Sequence, residues 1–148
     1  RQAEEAIEQH RRSFKLLSNR DSVSQALLIQ NYIGLSEIAR WLKNDYFEAE
    51  QYLEKALLVQ ENHTFKADEN LLFRIYYNLA SVYREKLDID RALSAARSAL
   101  ELLEKGSFAN DGNFSQCYQL MANVYNVSNQ PQLAIEYYLK AISYTVKS

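Results

Sequence analysis

The side chains best suited to nucleophilic or metal chemistry are Cys117, His10 and His63, and each stands alone. Cys117 has no histidine near it in sequence, so it reads as a small packing residue rather than a nucleophile. As the single cysteine it excludes an internal disulfide and a thiolate metal cluster. Neither histidine has metal-ligand spacing around it, and no phosphate-binding glycine motif is present. Asp111-Gly112-Asn113 lacks the remaining ligands of a calcium loop and reads as a loop with a cap. Glu4, Glu5 and Glu8 form an acidic stretch that solvation explains, and the Asn-x-Ser/Thr sequons at Asn62, Asn113 and Asn126 are read as chance. The expectation is a chain without metal, cofactor or catalytic residues.

What remains is chemistry of contact. Residues 112–135 hold no charge but are rich in Asn and Gln. A side-chain amide donates and accepts together, so a row of amides suits the backbone of an extended peptide whatever its side chains. The competing explanation is a helix covered by neighbours that avoids buried charge. The net charge is −2 and the basic residues are dispersed, with His10-Arg11-Arg12 the nearest approach to a cluster. Phosphate backbones need a basic stripe, so nucleic acid is excluded as a partner of this segment. No apolar run approaches the ~18 residues of a membrane span, and no signal peptide opens the chain, so the expected location is cytoplasmic. The first residue is Arg1 rather than Met, which points to excision from something larger.

The elements that must position these amides are helices. Three glycines and one proline in 148 residues are too few for sheets or long loops. Ala6, Ala49, Ala92 and Ala134 recur at intervals of 43, 43 and 42 residues, and seven positions after each stands Ser13, Ala56, Ala99 or Ala141. Small residues two turns apart share one face and let a partner helix approach closely. A second stripe precedes three of these helices: Tyr76, Leu79, Ala80, Tyr83; Tyr118, Met121, Ala122, Tyr125; and a weaker copy at Tyr32, Leu35, Ser36, Ala39. The spacing is that of one apolar helical face. Together these predict helices near 1–18, 22–43, 47–62, 70–86, 89–105, 113–128 and 131–147.

Asp21, Asp88, and Asp111 or Asn113 are candidate N-caps, and Pro131 suits a first helical turn. Asn44 and Asn129 stand where a left-handed residue would close the inter-helix turn. Leu87 holds that place in the middle copy and tolerates it poorly, so that turn is expected to differ. The turn at 43–45 is expected to carry one extra residue, because the first Tyr stands 17 residues before its alanine there and 16 elsewhere.

This pattern resembles the tetratricopeptide repeat over nearly the whole chain. The resemblance implies an all-α solenoid of about seven antiparallel helices: 1–18 as the second helix of a truncated repeat, then repeats at 22–62, 70–105 and 113–147. The usual period is 34 residues; the longer one here is similar to that of kinesin light chains, cell-polarity adaptors, peptide-sensing bacterial regulators and repeat arms of caspase-like proteases. Extra length is expected in the helices and in the loops near 63–69 and 106–112. Carried over residue by residue, the family's concave groove would present Gln30, Ile33, Glu37, Arg40 and Trp41 from the first full repeat. The second would give Arg74, Tyr77, Asn78, Ser81 and Arg84, and the third Gln116, Gln119, Asn123 and Asn126. Chaperone adaptors of this fold grip a C-terminal carboxylate with Lys and Asn where Ile33 and Glu37 stand, so that use is marked down. The arginines suit acidic ligand side chains, although Arg84 with Asp88 and Arg40 with Glu37 stand at spacings that favour local pairing. Trp41 is expected to pack at the end of its helix.

The implied role is a non-catalytic module that binds a protein or extended peptide. Its alternatives are a sensor arm of a larger signalling protein and an oligomerisation scaffold. Tyr137, Tyr138 and Tyr144 replace the polar face of a terminal cap, which leaves a homo-oligomer through the C-terminal helix open.

Overall fold

The computed structural model describes residues 4–9, 12, 22–61 and 68–146. Six helices follow in order: α1 (Ser22–Leu42), α2 (Tyr46–Glu61), α3 (Glu69–Glu85), α4 (Ile89–Lys105), α5 (Asp111–Val127) and α6 (Pro131–Thr145). Residues 4–9 are also helical, and the described residues contain no strand. The rest of the helix expected at 1–18 lies outside the described residues, as do His10, Arg11, Ser13, Asp21 and His63.

Helices pair as α1/α2, α3/α4 and α5/α6, and successive pairs stack through α2 on α3 and α4 on α5. The alanine faces explain how. Ala49, Ala56, Ala92 and Ala99 are fully buried and Ala134 and Ala141 nearly so, which lets helix axes approach to the short end of the usual ~8–10 Å. The second stripe faces the same core, with Leu35, Leu79, Ala80, Met121, Ala122 and Tyr125 all buried. The backbones of the first helices α1, α3 and α5 also come close side by side, whereas those of α2, α4 and α6 stay apart and α2 reaches α4 through side chains. A stack whose inner members touch while the outer ones splay is curved toward α1, α3 and α5.

Side-chain caps start four of the helices. Asp45 accepts from the Glu48 N–H at 2.9 Å, Asp68 from the Asn70 N–H at 3.0 Å, Asp88 from the Arg91 N–H at 3.2 Å and Asn110 from the Asn113 N–H at 2.9 Å. The cap of α5 is therefore Asn110, not Asp111 or Asn113; both of those lie inside the helix, where Asn113 is the donor. Pro131 occupies the first turn of α6.

The turn at Leu87 does not differ from its neighbours. Asn44, Leu87 and Asn129 all take positive φ, at 53°, 61° and 59°. The same closing bonds explain why. Asp88 N–H donates to the Tyr83 carbonyl at 2.9 Å and Gln130 N–H to the Tyr125 carbonyl at 2.9 Å, each spanning five residues. In the first turn Asp45 N–H reaches the Ala39 carbonyl at 2.9 Å across six, which is the extra residue. The repeat's hydrogen-bonded closure outweighs the steric preference of one leucine.

Candidate functional site

The expected groove residues all lie on the first helices of the pairs, α1, α3 and α5. On α5, Gln116, Gln119 and Asn126 are exposed, while Cys117, Leu120, Met121 and Val124 turn into the core. These amides are thus not covered by neighbouring helices. Asn123 is half-buried, and its side-chain oxygen accepts from the Tyr138 hydroxyl of α6. That bond ties the inner helix to its outer partner and occupies an acceptor that a ligand would otherwise use.

On α1, Gln30 is exposed and Glu37 half-buried, but Ile33 is 0% exposed. An isoleucine at that position belongs to the core, so it offers no contact surface. Tyr77, its counterpart on α3, is half-buried, and burial pushes its hydroxyl pKa above the ordinary value. Arg74 is half-buried beside it. Asn78 and Ser81 are buried and bonded within their own helix, the Asn78 amide to the Arg74 carbonyl at 3.0 Å and the Ser81 hydroxyl to the Tyr77 carbonyl at 3.0 Å. Neither is free to read a partner.

The expected local ion pairs are corrected as well. Arg84 pairs with Glu85, its sequence neighbour, because Asp88 is engaged by Arg91 at 2.6 Å. Arg40 has no hydrogen bond to Glu37: its Nε and Nη1 are enclosed without an acceptor. Burial lowers the Arg40 pKa, opposed by attraction to Glu37, Glu85 and Tyr77. Its guanidinium carbon lies 4.5 Å over the Trp41 ring. Trp41 itself is largely exposed rather than packed at the helix end.

Between the C-terminal ends of α3 and α5 lies an open depression of about 330 Å³, lined by Arg84, Glu85, Leu87, Asn123, Asn126 and Val127. Three of these were expected at a groove. Glu85, Leu87 and Val127 were not, though Glu85 and Val127 each directly follow an expected position and could have been found by extending the stripe one residue. The depression holds one cation, one anion, two amides and two apolar side chains, so it suits a mixed polypeptide surface rather than one ion. Cys117 is fully buried, and burial pushes its thiol up to about 12. At neutral pH it stays protonated and therefore unreactive.

A tetratricopeptide-repeat family model matches residues 25–105, and a second of the same description matches 115–145. The chain belongs to the tetratricopeptide-repeat family. Such repeats generally mediate protein–protein interaction. Among solved structures the chain is similar to BtubC (BKLC) from P. vanneervenii, with a TM-score of 0.75 at 21% identity. The match covers 96% of this chain and 56% of that one, so this tetratricopeptide array spans about half the length of the relative, and at that identity the likeness concerns the fold. No curated protein sequence matches. No described helix is long and apolar enough to cross a membrane.

Proposed function

We propose that this tetratricopeptide array is a non-catalytic, cytoplasmic module that holds an extended segment of another polypeptide along the face of α1, α3 and α5. The observation that carries the reading is the outward set of Gln116, Gln119 and Asn126 on α5, a helix without charge after Asp111 that turns Cys117, Leu120, Met121 and Val124 into the core. Each amide can satisfy one N–H and one C=O of a strand-like peptide. The depression beside Arg84 and Asn126 would take one side chain of that peptide.

The test is selection of binders from a random peptide library on the purified chain, followed by Gln116→Ala with Gln119→Ala. Two lost hydrogen bonds at about 1 kcal/mol each weaken the selected peptides roughly ten-fold or more. Thermal stability should hold, because both side chains are exposed. A library that yields no binder, or binders indifferent to the double variant, overturns the reading.

A further inference from the structure

The aromatic residues of α6 are used internally. Tyr137 packs on Tyr125 at 5.1 Å and on Tyr118 at 6.2 Å, and Tyr144 stacks on Phe114 at 5.0 Å. Among the side chains that α6 and its C-cap leave outside are aliphatic ones: Ile135 is 59% exposed, Leu139 60%, Ile142 55% and Val146 80%. The steps between them are four, three and four, the spacing of a helix–helix seam.

The internal repeats show which part of this seam a following repeat would cover. Ile135 corresponds to Glu50 and Leu93, and Ile142 to Leu57 and Leu100, all buried or half-buried inside the stack. Leu139, however, corresponds to Glu54 and Arg97, and Val146 to Glu61 and Glu104; all four of these are exposed and charged. Stacking another repeat leaves those two positions in water. The seam therefore fits a wider cover that lies along the whole of α6.

We propose that this cover is a second copy of the chain, its α6 packed antiparallel on the first about a two-fold axis near Leu139. The pairing places Ile135 against the second copy's Ile142 and Leu139 against its equivalent. The charges on the helix support the direction. Glu136 and Lys140, an ion pair at 2.8 Å within one helix, flank the seam. In the antiparallel arrangement each comes within a turn of its opposite on the second copy, whereas in a parallel two-fold pair the charged flanks of the two helices lie on opposite sides of the seam and do not meet. The interface is self-complementary, as a two-fold contact requires.

Sedimentation equilibrium of the full chain, from micromolar to millimolar concentration, tests this. The expected result is a reversible monomer–dimer equilibrium. Leu139→Glu should raise the dissociation constant roughly thirty-fold or more without altering helicity or Tm; Val146→Asp is an independent second variant at the helix end. Glu136→Lys should weaken the dimer, and adding Lys140→Glu should restore it. A chain that stays monomeric throughout, or a dimer indifferent to both Leu139→Glu and Val146→Asp, overturns the proposal. Failure of the double charge swap to restore association overturns the antiparallel direction.

Discussion

Glu50 of α2 accepts from Arg91 of α4 at 2.8 Å, although forty-one residues separate them. The same carboxylate also holds Lys86 in the turn between α3 and α4. One buried anion of the first full repeat therefore fastens both ends of the next repeat's turn. Arg91 extends the network to the cap Asp88 at 2.6 Å and lies 4.4 Å over Tyr83. Glu50→Gln should cost about 1–2 kcal/mol, less than the roughly 3–5 kcal/mol of a fully buried pair because Lys86 and Arg91 are partly exposed and can recover water. Urea denaturation checks it. The hydrogen bonds from Arg91 hold the Asp88 carboxyl below its ordinary 3.8. Its contribution is therefore present above that value and is lost as pH falls through the depressed one.

Leu87 offers an opposite case, a residue that the turn tolerates without needing it. Its φ of 61° carries the steric cost of a left-handed side chain, about 1–2 kcal/mol, and the side chain is exposed. Asn takes the same conformation at positions 44 and 129. Leu87→Asn should therefore stabilise the array by about 1 kcal/mol, seen as a raised Tm in calorimetry. A lowered Tm would show that Leu87 contributes packing that outweighs its strain.

Helices, turns and stacking faces were legible because each rests on a local rule repeated three times. The small residues at 49 and 56, 92 and 99, and 134 and 141 name the contact face, and each of the six helix starts and ends lies within two residues of its expected place. The Leu87 turn was misread because one side chain's preference was weighed alone, without the closing bonds from Asp88 and Leu87 to Tyr83 and Arg84. The inner face was legible as a stripe but not residue by residue. Ile33, Asn78 and Ser81 share the register of exposed neighbours, yet whether such a position faces out depends on how closely the adjacent helix approaches. Arg84 and Asp88 stand at ideal spacing on paper, but Arg91 from the following helix claims Asp88 first, a competition visible only in three dimensions.

Arg40 stands on the inner face in a state that burial alone does not favour. Its Nε and Nη1 are enclosed without an acceptor, and an enclosed cationic donor lacking a partner is costly, on the order of 1–3 kcal/mol. Stacking on the exposed Trp41 returns only about 0.5–1 kcal/mol. Attraction to Glu37 and Glu85 opposes the effect of burial without reversing it, since the Arg40 pKa remains lowered. Arg40→Met keeps most of the stem's packing and removes the unpaired charge. Thermal unfolding should find this variant as stable as the parent or up to about 1 kcal/mol more stable. A loss of 2 kcal/mol or more would mean that the through-space attraction to Glu37 and Glu85 dominates, and Arg40 would then be a structural tie between α1 and α3. A stability gain accompanied by weaker capture of library peptides would instead mark Arg40 as a group held strained and ready for a ligand's acceptor.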